Sequence, residues 1–176
     1  MSTDHSASQF LRAATRDGHE GVDSAFSRFG IDKPSGYARF LQAHARVLPQ
    51  AERLLAPASL LERWQGRAGA LAADLAALNV PSPPALEFAL PEGKGARWGA
   101  IYVVEGSRLG GAVLSRMVPP GLPTAYLGAT HPSGAWRDLL GRIDAADTGP
   151  AWRTDAAAGA NAMFEAYRMA ADAEFQ

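Results

Sequence analysis

The spacing of apolar residues predicts that the first fifty residues form two helices. Apolar positions recur three or four residues apart, which places their side chains on one face of a helix. The first helix is predicted from Ser8 to about Arg28, with Ser6 or Ser8 capping its start. The second begins at the capping residue Ser35. It contains Pro49, which we expect to kink or interrupt it because proline has no amide donor.

Four more helices are predicted in the rest of the chain. One runs from Ser59 to Leu78 and is followed by a proline-rich surface connection that ends near Gly95. The next spans Trp98 to Arg116, a short one begins after the capping residue Ser133, and the last runs from Thr154 to about Glu174. Most of the chain is thereby predicted to be helical.

No segment has to be interpreted as a strand. Leu86–Leu90 and Ile101–Val104 are the two ambiguous runs, and neither alternates cleanly between apolar and polar residues. The chain has 176 residues, of which 47% are hydrophobic, and this is enough for one continuous core. The predicted fold class is all-α, with residues 1–176 as a single multi-helix domain.

Composition and charge exclude several classes of function. The net charge is −1 and the arginines are scattered, so a nucleic-acid-binding surface is not expected. No apolar run is long enough to span a bilayer and the first residues do not resemble a secretion signal, which predicts a cytoplasmic protein with no membrane contact. The chain has no cysteine, so a bound metal would need histidine or carboxylate ligands.

Three glycines, Gly106, Gly110 and Gly111, lie within the predicted helix Trp98–Arg116. Each destabilises the helix by roughly 1 kcal/mol relative to alanine, so we expect another group to approach the backbone closely there. That group is either a second helix packed through small residues or a planar ligand. A phosphate-binding turn is disfavoured because Gly-x-Gly-x-x-Gly is missing, and the spacing around Ser107 is not that of a hydrolase nucleophile.

His19 is the strongest candidate among the histidines for a metal ligand. It shares a helical stripe with apolar residues, which predicts that its imidazole faces inward, and Asp23 is placed to accept a hydrogen bond from its second ring nitrogen. Gly18 and Gly21 beside it leave room for a large flat group. A single histidine is sufficient to hold haem, because the porphyrin supplies four nitrogens. The other histidines are weaker candidates. His44 is expected to be a buried or boundary residue held by a hydrogen bond, His131 lies in a Pro/Gly loop, and His5 lies in the terminal segment.

Two segments of the sequence contain motifs that are informative when they are taken together. Phe10–Asp23 contains Leu-x-x-x-Thr-x-x-x-His, and Tyr102–Gly111 contains the glycine cluster. They resemble the proximal helix and the kinked distal helix of the haem oxygenase family, in particular its bacterial branch associated with bacteriophytochromes. The order of the elements and the chain length extend the resemblance over essentially the whole sequence.

The resemblance implies that haem is sandwiched between these two helices and opened to biliverdin, carbon monoxide and ferrous iron. It identifies His19 as the iron ligand, and the four-residue spacing places Asp23 where it can orient the imidazole. The residues of the distal helix that it matches to haem contact and catalysis are Gly106, Ser107, Gly110 and Gly111.

The resemblance also implies external partners. The sequence has no flavin or nicotinamide fingerprint of its own, so electrons would come from a ferredoxin or a flavoprotein reductase. A biliverdin-binding photoreceptor is the partner expected to take the product, because of the branch that the chain resembles.

The sequence departs from the family pattern at two positions. Many members have an aspartate after the first distal glycine, where this chain has Ser107, so the water network that delivers protons would involve Ser107 or a neighbouring arginine. Arg12 matches a basic position that can hold a haem propionate, whereas the late-helix lysine of mammalian relatives falls near Asn161. The candidate substitutes for that lysine are Tyr102, Asn161, Tyr167 and Arg168.

A haem carrier or sensor on the same scaffold is the alternative function. His19 and the distal glycines predict haem binding in both cases, and only turnover separates the two. A haem-free enzyme similar to the thiamin-degrading relatives of this fold is disfavoured, because it would need a catalytic cysteine or a cluster of carboxylates.

Overall fold

The chain folds into helices joined by loops, as the apolar spacing predicts. The computed structural model describes residues 6–56, 60–61 and 64–176, and within these residues there is no strand. The helices are α1 (Ala7–Ala14), α2 (Arg16–Ser27), α3 (Pro34–Leu55), α4 (Ala68–Ala77), α5 (Ala96–Leu114), α6 (Ala125–Gly128), α7 (Ala135–Ala146) and α8 (Pro150–Ala173). The all-α prediction is confirmed. Neither ambiguous run is a strand, since Leu86–Leu90 is irregular and Ile101–Val104 lies in α5.

The first predicted helix is divided in two at Thr15. Ser6 caps α1, and its side chain accepts a hydrogen bond from the amide of Gln9 at 3.4 Å. At Thr15 the backbone leaves the helical region, and the hydroxyl donates to the carbonyl of Leu11 at 2.7 Å. A threonine side chain bonded to the preceding turn bends a helix. The single helix predicted from Ser8 to Arg28 is therefore wrong at this point.

The third predicted helix is wrong in its first half. Residues 60–61 and 64–67 are not helical, α4 begins only at Ala68, and Ser59 lies outside the described residues. Tertiary hydrogen bonds hold this segment: the indole of Trp64 donates to Glu105 at 2.9 Å, and the carboxylate of Glu52 accepts from the amides of Arg67 and Ala68. These contacts outweigh the helical periodicity of the segment.

Pro49 lies inside α3 without ending it, so the predicted interruption does not occur. The neighbouring residues Val47, Leu48 and Ala51 are completely buried, and this packing keeps both turns in place. Core packing on both sides of Pro49 offsets the missing hydrogen bond.

The start of α3 also differs slightly from the prediction. The helix begins at Pro34, one residue before the predicted cap Ser35.

The helix ends in the C-terminal half also differ from expectation. Helix α7 is preceded by Gly134 at φ 84°, and no side chain caps it, so the predicted cap at Ser133 is wrong. Helix α8 begins at Pro150, one turn earlier than predicted. The short helix α6 was not predicted, because the carboxylate that caps it belongs to Asp74, about fifty residues earlier, and accepts from the amide of Tyr126 at 2.8 Å.

Helices α5 and α8 cross at close range through small residues. A Cβ on Gly99 would collide with the carbonyl of Ala156, and one on Gly159 would collide with the carbonyl of Ala96. Side chains are therefore excluded from this crossing. The crossing anchors the first half of α5 in the core, while its second half, which carries the glycine cluster, borders a groove.

None of the helices built from the described residues is both long enough and apolar enough to cross a membrane.

Candidate active site

A groove runs between α1 and α2 on one side and α5, α7 and α8 on the other. It consists of two adjoining cavities, an inner one of about 340 Å³ and an outer one of about 780 Å³. Both are lined by His19, Tyr102, Trp136 and Phe164. The volumes lie in the range of roughly 300–1,000 Å³ that is typical of ligand pockets. The two segments singled out by the sequence therefore meet at one place in the fold.

His19 lies on α2 and forms part of both cavities. Its Nδ1 is 3.1 Å from Oδ2 of Asp23, as the four-residue spacing predicts. The side chains are 64% and 69% exposed, so the prediction that the imidazole faces the core is wrong. The stripe is broken at Thr15 and the groove is open, so His19 projects into the groove while Leu11 is buried. With Nδ1 engaged by Asp23, Nε2 is left for a ligand.

The glycines beside His19 do not provide the expected bare backbone. A Cβ on Gly18 would lie 3.1 Å from both Asn161 Oδ1 and Phe164 Cδ2, so α8 already occupies that side. Gly21 has no atom within 4 Å of that position, but it lines neither cavity. Gly18 therefore serves the packing of α2 against α8. The prediction that a flat ligand approaches the backbone at Gly18 is wrong.

The distal glycines have different surroundings. Gly106 and Gly110 both line the inner cavity. A Cβ on Gly110 would meet no atom within 4 Å, and one on Gly106 would touch only the ring of Trp136, at 3.4 Å. Gly111 instead lies against α6, where a Cβ would be 3.0 Å from the carbonyl oxygen of Leu127. The structure thus brings Gly106 and Gly110 to the groove and does not bring Gly111 there.

Ser107 lines the inner cavity beside these glycines and is bonded to a buried arginine. Its hydroxyl donates to the carbonyl of Val104 at 2.7 Å and accepts from Nη2 of Arg67 at 2.5 Å. Arg67 is 2% exposed and also donates to the carbonyl of Val104 at 2.8 Å. The arginine bonded to Ser107 is thus Arg67, which is 40 residues away in the chain and not a sequence neighbour. No pattern in the sequence indicated this contact.

The closed end of the inner cavity is formed by aromatic residues and His44. His44 Nδ1 donates to the carbonyl of Phe40 at 2.9 Å, which leaves Nε2 as an acceptor. Burial lowers the pKa of His44 to about 4, so the ring is neutral at neutral pH. His44 was expected to be a core histidine held by a hydrogen bond. It is held in that way, yet it also borders the cavity.

Tyr167 lines the same closed end with its ring. Its hydroxyl is buried and has no hydrogen-bond partner among the described residues. Burial raises the pKa of Tyr167, so the hydroxyl stays protonated. A buried hydroxyl of this kind is usually satisfied by an ordered water.

The outer cavity is the more polar of the two and contains cationic side chains. Arg12 and Arg16 line it together with Tyr102. Burial raises the pKa of Tyr102, and the nearby charge of Arg12 opposes this shift. Arg168, a candidate for the same role, lines neither cavity. It is bonded to Glu165 at 2.6 Å and to Asp172 at 3.0 Å.

Asn161, the remaining candidate, is exposed on α8 and lines neither cavity. Its Oδ1 lies next to Gly18, at the contact between α2 and α8. The outer cavity therefore takes its cations from α1 and α2. His5 lies outside the described residues.

A buried charged cluster lies behind the distal helix and was not predicted. Glu105 accepts from Trp64 Nε1 at 2.9 Å, from Arg108 Nε at 2.9 Å and from His131 Nε2 at 3.0 Å. The side chains of Glu105 and Arg108 are only 6% and 9% exposed. The only feature of the sequence that could have indicated this cluster is the spacing of Glu105 and Arg108, three residues apart in an apolar helix. Nothing in the sequence indicated that His131, which lies in a loop, would join them.

The chain is similar to known proteins over most of its length. No family model matches it. The heme oxygenase of Xanthomonas campestris pv. campestris (strain 8004) is 37% identical over 153 residues, which cover 78% of this chain and 90% of that protein. A solved structure of the NO- and CO-bound heme oxygenase from Neisseria meningitidis has the same fold, with a TM-score of 0.82 over 97% of this chain and 92% of that one, at 23% identity. Together with the histidine and glycine motifs that meet at the groove, this similarity places the chain in the haem oxygenase family.

Proposed function

We propose that this protein opens haem to biliverdin, carbon monoxide and ferrous iron, using O2 and electrons from an external donor. The observation that carries the proposal is that His19 on α2 and the bare backbone of Gly106 and Gly110 on α5 line one cavity. The membership in the haem oxygenase family supports it. When bound, haem supplies the oxygen chemistry, since its iron binds O2 and its own ring is the substrate.

The residues of the groove fit a haem. His19 offers one imidazole nitrogen while Asp23 engages the other, which is the usual arrangement behind a metal-bound histidine. Gly110 leaves backbone free on the facing helix. The remaining inner walls are largely apolar, as a porphyrin ring requires, and they include Phe26 and Tyr167. The ring of Tyr167, rather than its buried hydroxyl, is proposed to contact haem.

The propionates are proposed to lie in the outer cavity. Arg12 lines it, and Tyr102 lies at its junction with the inner cavity. An arginine binds a carboxylate by charge-assisted hydrogen bonds, and a tyrosine hydroxyl adds a neutral donor. Arg16 is a second cation of the same cavity and is included in the proposal.

Ser107 is proposed to order water next to the reacting centre. The Ser107 hydroxyl donates its proton to the carbonyl of Val104 and accepts a hydrogen bond from Arg67, so it is held in one orientation. One lone pair of its oxygen remains free to accept a second hydrogen bond. It can therefore accept a hydrogen bond from a water in the inner cavity and orient that water as a donor. In this way Ser107 and Arg67 would replace the aspartate of many family members.

Two partners belong to the proposal. A ferredoxin or a flavoprotein reductase is proposed as the electron donor, because the sequence has no flavin or nicotinamide fingerprint. A biliverdin-binding photoreceptor is proposed as the recipient of the product, supported by the resemblance to the bacteriophytochrome-associated branch.

The proposal is tested by adding haem and a ferredoxin reducing system to the purified protein and to His19→Ala. We expect the Soret band of the wild type to disappear while biliverdin absorbance rises. His19→Ala is expected to lose turnover by at least roughly a hundredfold, because removing a metal ligand costs at least as much as removing the groups behind it. Added imidazole should restore part of the Soret spectrum of the variant. A Soret band in the wild type that persists under air and reductant would contradict the proposal and support the carrier or sensor function.

A further inference from the structure

Trp136 lies at the junction of the inner and outer cavities. Its side chain, carried by α7, lines both of them. Its Cη2 and Cζ3 atoms are 3.4 and 3.8 Å from the position that a Cβ on Gly106 would take. The indole therefore forms a side wall beside the first distal glycine.

Aromatic neighbours on both sides hold this indole in place. Its ring centroid is 5.5 Å from that of Tyr102 and 6.0 Å from that of His131, with interplanar angles of 37° and 36°. His131 is in turn bonded to Glu105 at 3.0 Å, directly before Gly106 in the chain. Contacts of this kind between aromatic rings restrict rotation of the side chain.

Helix α7 is itself fastened to the other side of the groove. Asp144 accepts hydrogen bonds from the amide and the hydroxyl of Ser8, at 2.8 and 3.2 Å. The wall formed by Trp136 is thus fixed both to the distal helix and to the start of α1.

A fixed wall beside the distal glycine restricts how a flat ligand can rotate in its own plane. The four meso carbons of a porphyrin lie at equal distances from the iron, so rotating the ring in its own plane changes which of them faces a given point of the distal helix. The proposed contacts of Arg12 and Tyr102 with the propionates would hold the polar edge of the ring, and a side wall would limit the remaining rotation. Reactivity depends steeply on such positioning.

We propose that Trp136 determines which meso carbon of haem is opened, and therefore which biliverdin isomer is formed. The inference rests on the proposed function. Trp136 acts as a specificity-determining residue that contacts the edge of the substrate, and its ring has no part in proton transfer.

The test compares Trp136→Ala and Trp136→Phe with the wild type, with the biliverdin isomers separated by chromatography. We expect one dominant isomer from the wild type. In Trp136→Ala the share of the other isomers should rise roughly three- to tenfold, the effect of losing one aromatic contact. Trp136→Phe should stay closer to the wild type. Trp98→Phe is the matched control, because Trp98 is half-buried on α5 and lines neither cavity.

A second measurement is independent of turnover. Proton NMR of the haem methyl groups in the ferric complex reports the in-plane orientation of bound haem, and we expect a second set of signals in Trp136→Ala. Unchanged isomer ratios together with unchanged methyl signals would overturn the role of Trp136 while leaving the proposed function intact. If the wild type binds haem without forming biliverdin, the proposed function fails, and the methyl signals alone decide the role of Trp136. A wild type that binds no haem would overturn both.

Discussion

The two walls of the groove are built in opposite ways. On α2, the side chains of His19 and Asp23 are 64% and 69% exposed, and their contact at 3.1 Å lies within a single helix. On α5, Glu105 and Arg108 are 6% and 9% exposed and bind partners from loops far away in the chain. An exposed pair contributes little to stability, whereas a buried charge depends strongly on each of its partners. The comparison separates a wall that can be altered without unfolding the protein from one that is part of the core.

The largest expected effect comes from Glu105→Ala. The substitution leaves Arg108 buried without its carboxylate, so we expect the free energy of unfolding to fall by about 3–5 kcal/mol. Asp23→Ala on the other wall should change it by less than about 0.5 kcal/mol. Urea unfolding of both variants measures the contrast. Equal losses would remove the distinction between the walls.

His44, at the closed end between the two walls, predicts a dependence of stability on pH. Its pKa is lowered to about 4 by burial, against an ordinary value of 6.5, so the unfolded chain binds more protons between these values. Stability should therefore fall as the pH drops from about 6.5 to about 4, by up to about 3 kcal/mol from this residue. His44→Phe should show a smaller loss between pH 7 and pH 4.5 in urea unfolding. Parallel curves for the two proteins would contradict the prediction.

Two neighbouring glycines on α5, Gly110 and Gly111, extend the comparison to a cavity-facing and a packed position of the same wall. Gly111→Ala brings a Cβ to 3.0 Å from the carbonyl of Leu127, so we expect it to destabilise the protein by about 1–3 kcal/mol. Gly110→Ala meets no atom within 4 Å, and its better helix propensity should stabilise the haem-free protein by roughly 0.5–1 kcal/mol.

The same Gly110→Ala variant should bind haem more weakly, because the added methyl group projects from the cavity wall. Thermal unfolding and haem titration, measured side by side, test both halves. A variant that is both more stable and equally able to bind haem would show that bare backbone at Gly110 has no role in the site.

The smallest expected effect concerns Ser107. Ser107→Ala keeps the bond from Arg67 to Val104 and removes only the hydroxyl. We expect unchanged haem affinity and a turnover rate lower by roughly fivefold, the value of one hydrogen bond. Ser107→Thr, which retains the hydroxyl, should restore most of the rate. A full rate in Ser107→Ala would exclude this residue from water ordering.

Much of the fold could be predicted from the sequence because helices are local. The apolar pattern predicts helix α5 within two residues of both its ends, and Ser6 is confirmed as the cap from the two candidates Ser6 and Ser8. Residues 60–61 and 64–67 are wrongly predicted as helix for the opposite reason. Their apolar residues have helical spacing, but Glu52 and Glu105, which bind Arg67 and Trp64, lie too far away in the chain for a local pattern to show.

In the candidate site, too, relations within one helix could be predicted from the sequence, whereas contacts between distant residues could not. The sequence by itself determined His19 with Asp23 four residues later, and a helix with glycines at 106 and 110, because these relations lie within one or two helical turns. Only the tertiary structure decided that Gly18 and Gly111 serve helix packing, that Arg67 supports Ser107, and that Trp136 stands beside Gly106. Helical periodicity records which side chains share a face, whereas contacts between residues 16 or more positions apart depend on how the helices pack together.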